Sequence, residues 1–147
     1  MALRCDACLL TCEDFRLHAR PDGRNIVGEF VRSLGVDCDV LTRAGAAQDL
    51  VRPRLGFDEA ILRDMEVSVL WHGVKTIIIL NHEDCGAYAH FGFASREIEL
   101  EKHFADLAAA REVVKRCFAE VNVLLYFAEL EQGTTDRYVV RAVNLSP

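Results

Sequence analysis

The sequence predicts a three-layer α/β/α domain built on a mainly parallel central sheet. Three observations carry that prediction. Strand and helix signals alternate along the chain as βαβαβαβ. The run VKTIIIL (74–80) is nearly continuously apolar and β-branched, as expected of a central parallel strand covered on both faces by helices. No low-complexity stretch, internal repeat or Pro/Gly/Ser-rich linker interrupts the 147 residues, so one domain over 1–147 is expected.

Each element has its own signal. The short apolar run ACLLTC (7–12) has strand character. RNIVGEFVRSLG (24–35) follows, with Ile26, Phe30 and Leu34 at helical spacing beside Val27 and Val31, and Gly35 stops it. CDVLT (38–42) reads as a second strand, and RAGAAQDLVRPR (43–54) as a loop, because small residues and breakers dominate it. In FDEAILRDMEVSVLWHG (57–73), Ile61, Met65 and Val69 form one helical stripe, Asp58 and Glu59 suit the first turn, and Gly73 ends the helix. After the strand 74–80 comes the longest helix, SREIELEKHFADLAAAREVVKRCFAE (95–120). VNVLLYFAEL (121–130) and RYVVRAV (137–143) close the chain as two strands around a Gln132-Gly133 turn.

Composition removes several classes of function. The chain is 51% hydrophobic, yet it has no uninterrupted apolar run of membrane-spanning length and no secretory signal pattern, so no membrane association and a cytoplasmic location are expected. A formal charge of -6, with Lys and Arg scattered among acids, argues against nucleic acid as a partner. Six cysteines in a chain with long apolar periodic segments do not suit a secreted disulfide scaffold. Thiols in a reducing compartment are metal ligands, catalytic groups or plain buried residues.

In a parallel α/β sheet, functional groups gather at the carboxyl ends of the strands. The first strand leaves through TCEDFR, which supplies Cys12, Asp14 and Arg16, and the third leaves through NHEDCGAY, which supplies His82 and Cys85. If those strands are neighbours, Cys12, His82 and Cys85 converge as a Cys2His set. This is a zinc-type donor set that leaves a fourth position for water or substrate. The competing reading of Cys12 is a small buried hydrophobe, and that of Asp14 and Arg16 an ordinary surface ion pair.

The two motifs together resemble the β-class carbonic anhydrases, whose pattern is Cys-x-Asp-x-Arg after the first strand and His-x-x-Cys-Gly after the third. Here these stand as CEDFR (12–16) and HEDCG (82–86), and the likeness extends over LTRAGAAQDLV and LWHGVKTIIILNHEDCG to almost the whole chain. The resemblance implies a β-carbonic-anhydrase-like fold and one Zn2+ held by Cys12, His82 and Cys85. It also implies reversible hydration of CO2 to bicarbonate by a zinc-bound hydroxide. Arg16 would hold Asp14 off the metal while Asp14 accepts a hydrogen bond from the hydroxide, and the closed alternative has Asp14 as fourth ligand. No separate organic cofactor is implied. A homodimer or higher homo-oligomer is, because the family builds its pocket at subunit interfaces.

The sequence also departs from the family. Glu13 and Phe15 stand where small residues are usual, and Arg-Ala-Gly-Ala replaces the Asn-Ala-Gly-Asn loop. Only 11 residues precede Cys12, so the family's helical N-terminal arm is expected to be absent. The chain therefore resembles a compact, divergent branch. Alternatives to CO2 hydration are a zinc-binding protein without hydratase activity and a relative acting on COS or CS2. Gly45, Ala46 and Gly86 would leave room for a small linear substrate, Gly45 and Gly86 being turn glycines on the other reading, and Phe15, Tyr88 and Phe91 either line a pocket or belong to the core. His72 is expected to meet the last carbonyls of its helix, and His18, His90 and His103 have no partner at ligand spacing. Cys5 and Cys8 form a Cys-x-x-Cys without a second such pair, and Cys38 and Cys117 read as core.

Overall fold

The computed structural model describes residues 3–146. Its elements run β1 (Ala7–Thr11), α1 (Ile26–Leu34), β2 (Cys38–Thr42), α2 (Gln48–Val51), α3 (Phe57–Trp71), β3 (Thr76–His82), α4 (Arg96–Cys117), β4 (Asn122–Leu130) and β5 (Tyr138–Ala142). Two 3-10 turns, Phe15–Leu17 and Gly86–Phe91, follow β1 and β3. The sheet order is β2-β1-β3-β4-β5. The first four strands are parallel, and only β5 runs antiparallel to its neighbour β4.

Alternation along the central strands divides the apolar side chains between two layers. Cys8, Leu10, Ile77 and Ile79 face α3 and α4, packing with Ile61, Met65, Leu107, Ala110 and Val114. Leu9, Ile78 and Leu80 face the other way, onto Val27 and Phe30 of α1. Every residue of β1 is buried, as expected of a strand with helices on both sides. The three-layer prediction therefore holds. Helix α1 is framed by local chemistry: the Asn25 side chain accepts from the Gly28 N–H, and Gly35 takes a left-handed φ of 69°.

Four details differ from the sequence reading. The segment 43–54 is not wholly a loop, since Gln48–Val51 form one helical turn with Gln48 and Leu50 buried. Ala46 and Ala47 are fully buried there, so the small residues permit close packing rather than break structure. Strand β3 starts later and runs on to His82, because β4 is long enough to pair beyond the end of β1: Thr11 aligns with Leu80, and His82 aligns with Ala128. The His72 ring meets Asp39, with Nδ1 and Oδ2 2.6 Å apart, instead of the α3 carbonyls. Cys117 is exposed at the end of α4, and Cys38 is half-buried on the edge strand.

A polar network ties the helical layer to the end of β3. Arg52 pairs through both terminal nitrogens with Asp106, whose Oδ2 also accepts from the Tyr88 hydroxyl at 2.8 Å. Asn81 donates to Tyr88 and His103 and accepts from the Ala47 N–H. Asp106 and His103 are buried, and His103 is held neutral by burial, with its pKa pulled down to about 3. Among the described residues, no helix is long and apolar enough to cross a membrane.

Burial pushes the Asp106 carboxyl up, but the hydrogen bonds from Arg52 and Tyr88 outweigh it and hold the group below its usual range. A depressed carboxyl contributes stability that is full above the ordinary value near ~4 and is lost as pH falls through the folded value. Asp106→Asn is therefore expected to cost about 1.5–3 kcal/mol at pH 7 in urea unfolding. The gap between variant and wild type should close as the pH falls below about 4.

Candidate metal centre

The two sequence motifs meet at the carboxyl edge of the sheet. Cys12 is the first residue beyond β1, His82 the last of β3, and Cys85 lies three positions further on. Their donor atoms all lie within 4.8 Å of one another, and the two Sγ atoms are 3.9 Å apart. All three residues are buried. Local backbone geometry makes this convergence work. Asp84 takes a positive φ of 57°, a conformation a short polar side chain tolerates, and so reverses the chain between His82 and Cys85. The Tyr88 N–H then donates to the Cys85 carbonyl at 2.9 Å and starts the 3-10 turn.

The hydrogen bonds of His82 fix its tautomer. Nδ1 lies 2.9 Å from the Glu83 carbonyl oxygen, which can only accept, so Nδ1 carries the proton. Nε2 is left as a lone pair, buried and without a hydrogen-bond partner. An orphaned buried acceptor costs about 1–3 kcal/mol, and this one points toward two thiols. Two soft sulfurs and one imidazole nitrogen suit a zinc-type ion, whose thiolate and imidazole bonds need this donor set. The residues therefore fit a metal ion on the strength of that orphaned nitrogen and the chemistry of the donors.

The thiols are electrostatically unequal. Cys12 is pulled down from the ordinary thiol range by a hydrogen bond from Cys85, helped by His82 and by the Gly45 N–H, which lies 3.4 Å from its sulfur. Cys85, as the donor, is pushed up by Cys12 and by burial. Gly45 has a φ of 76°, and a Cβ there would sit 3.0 Å from the Cβ of Ala87 and 3.1 Å from that of Gln48. Gly86 has nothing within 4 Å of the same position.

Asp14 and Arg16 form a clamp at the rim. Asp14 caps the Phe15–Leu17 turn, its Oδ1 accepting from the Arg16 N–H at 2.9 Å. All five side-chain N–H groups of Arg16 are used: Nε and Nη2 bind Asp14, Nη1 binds Asp84 Oδ2 and the Thr135 carbonyl, and Nη2 also binds the Asp84 carbonyl. Asp14 Oδ2 stands 3.9 Å from His82 Nε2. Partial burial pushes the Asp14 carboxyl up, but the Arg16 hydrogen bonds win and hold it below the usual carboxylate range.

Other predicted residues fall outside the cluster. Phe15 is 69% exposed beside Arg20, whereas Tyr88 is core, its hydroxyl committed to Asp106. Cys8 is buried in β1 and Cys5 precedes it, both away from the exit that carries Cys12. Among the described residues, Cys12, His82 and Cys85 are the one His/Cys/Asp/Glu group gathered at metal-ligand separation. Sequence reasoning missed Asp84, Thr135 and Tyr138. Asp84 was signalled by its place inside HEDCG, but Thr135 and Tyr138 belong to no motif and reach the site only through the β4–β5 turn.

Comparison with known proteins gives a consistent picture. A family model described as putative carbonic anhydrase matches residues 4–137. An uncharacterized protein of Rickettsia bellii is 30% identical over 130 residues, covering 84% of this chain and 76% of that protein. One of two tetrameric β-carbonic anhydrases from Sordaria macrospora superposes with a TM-score of 0.62 at 15% identity, covering 97% of this chain and 82% of its own. A carbonic anhydrase from Streptococcus mutans gives a TM-score of 0.54 at 21% identity, with 97% and 84% covered. At these identities the two solved structures show a shared fold.

The two glycines near the site should respond differently. Gly45→Ala is expected to lower stability by about 1–2 kcal/mol, from the left-handed backbone alone, while Gly86→Ala should change it by less than about 0.5 kcal/mol. Chemical denaturation of the two variants side by side checks the contrast.

Proposed function

This chain belongs to the putative carbonic anhydrase family, and on that premise we propose that it holds one zinc ion through Cys12, His82 and Cys85 and hydrates CO2 to bicarbonate. The observation that carries the proposal is the convergence of three donor atoms from two separate motifs around an unpartnered, buried His82 Nε2. When bound, zinc would supply the Lewis acidity that lets water act as a nucleophile near neutral pH.

The remaining steps belong to the chain. Both oxygens of Asp14 accept from Arg16, but Oδ2 takes only the Nη2 hydrogen there, which leaves it a lone pair on the side of His82 Nε2. That lone pair orients the reacting water by accepting one of its protons in a hydrogen bond. Arg16 prevents the carboxylate from turning into the donor cluster, because its own N–H groups are anchored to Asp84 and Thr135. The reaction balances as CO2 and water giving bicarbonate and a proton.

Wild-type protein is expected to carry near-stoichiometric zinc that Cys85→Ala strongly reduces, as elemental analysis would show. In stopped-flow CO2 hydration, Arg16→Ala should lose at least about 100-fold in rate with unchanged zinc content. Equal activity in Arg16→Ala would reduce the pair to a surface contact. A zinc-loaded wild type without hydration would leave a metal-binding protein that lacks this reaction.

We also propose self-association. Phe15 beside Asp14 is 69% exposed, Leu55 and Phe57 are exposed near the β2 exit, and Val40 is exposed on the edge strand. A second copy of the chain would remove this apolar surface from water. The S. macrospora enzymes are described as tetrameric, in keeping with this reading. Sedimentation at micromolar concentration should show a dimer or larger species, and a zinc-loaded monomer would refute it.

A further inference from the structure

We infer that Tyr138 is a positioning residue of the metal centre, a single side chain on β5 that holds both the His82 arm and the Arg16 arm. The inference rests on the reading of His82 as a metal ligand and assigns a role outside either sequence motif. Tyr138 is 5% exposed and opens the antiparallel strand. Its hydroxyl lies 3.1 Å from the Glu83 carbonyl oxygen, to which it donates. Its oxygen therefore presents lone pairs to His82 Nδ1, 3.3 Å away.

Three groups form a closed triangle here. The His82 Nδ1–H is shared between the Glu83 carbonyl and the Tyr138 oxygen, and Tyr138 in turn secures that carbonyl. The tyrosine ring also packs edge-on to the imidazole, with centroids 5.6 Å apart and planes at 83°. Imidazole rotation, which would swing Nε2 away from the two sulfurs, is opposed by both contacts. Outer partners of this kind raise the basicity of a ligating histidine and fix its plane.

The same ring supports the clamp. The Arg16 guanidinium carbon lies 5.6 Å from the ring centroid, within the range of a cation–π contact. Thr135, in the turn leading into β5, accepts from Arg16 Nη1 at 3.0 Å. The β4–β5 hairpin thus reaches Arg16 twice and His82 once. Glu83 is tied to the same hairpin, its carboxylate accepting from the Leu130 N–H at 2.8 Å and from Arg96.

The test compares wild type, Tyr138→Phe and Tyr138→Leu as zinc-loaded and cobalt-substituted proteins, with circular dichroism as the check on folding. Tyr138→Phe keeps the ring and removes only the hydroxyl. It is expected to retain the wild-type circular dichroism spectrum, to lose roughly 10- to 100-fold in zinc affinity in chelator competition, and to shift the visible cobalt bands. Tyr138→Leu, which also removes the ring, should lose at least as much affinity. A Tyr138→Phe protein with wild-type zinc affinity and an unchanged cobalt spectrum would overturn the inference. So would loss of fold in both variants, which would make Tyr138 a core residue only. A wild type that takes up neither metal would instead overturn the reading of Cys12, His82 and Cys85 as ligands, so the two failures are separable.

Discussion

The parallel pairing of β1 with β3 is the constraint on which the site depends. Thr11 aligns with Leu80, so one chain direction and one register bring two segments 70 positions apart to the same edge. A shift of a single residue would turn every side chain of β1 to the opposite layer. Cys8 and Leu10 would then face α1, Leu9 would face α3, and the exit that carries Cys12 would turn with them. The apolar split between the two layers therefore sets the position of the thiol as well as the core. Hydrophobic burial, which is non-directional, acquires direction here through the period of two along a strand.

Beyond the strands, the site is held by hydrogen bonds whose donors and acceptors are almost all spent. Arg16 joins the exit of β1, the 82–86 turn and the β4–β5 hairpin. Beneath the cluster, Asn81 joins the 45–47 turn to Tyr88 and His103, and Asp106 joins Tyr88 to Arg52. In a partly desolvated region such satisfied networks are rigid, because any rotation leaves a buried polar group without a partner. Thr11 Oγ1, His103 Nε2 and His82 Nε2 are buried without a partner, and the last of these lies within 4.8 Å of both cysteine sulfurs.

Much of the fold was legible because its signals are local or strictly periodic. The β-branched run through Ile77, Ile78 and Ile79, the stripe Ile61 and Met65, and the Gly35 stop each act within a few residues. The convergence of Cys12, His82 and Cys85 was legible because their spacing falls inside two short motifs placed at strand exits. What escaped depends on partners remote in the chain. The extension of β3 to His82 needed the length of β4, and the helical turn at Gln48 needed the packing of Ala46 and Ala47 against the layers around them. His72 had an ordinary local role at a helix end until Asp39 of β2 came within reach. Tyr138, 56 positions after His82, carried no signal at all, because its role arises from an antiparallel hairpin folding back over the site.

Charge explains why the cluster and the clamp occur together. Without a cation, two thiols 3.9 Å apart cannot both ionise, so one keeps a proton and shares it with the other. On the proposed reading, a divalent ion would take the place of that proton, and with two thiolates and a neutral imidazole the set would be electrically neutral. Such a centre would withdraw less charge from a bound group than one built from neutral ligands alone. The surroundings would then supply orientation in place of raw field. The Asp14 carboxylate would do so only if ionised and kept in place, and the Arg16 guanidinium favours both conditions. Asp84 carries a further negative charge to Arg16, so the guanidinium is drawn toward the turn that separates His82 from Cys85. The same pair of opposing carboxylates that holds Arg16 thereby fixes the distance between Asp14 and the cysteine pair.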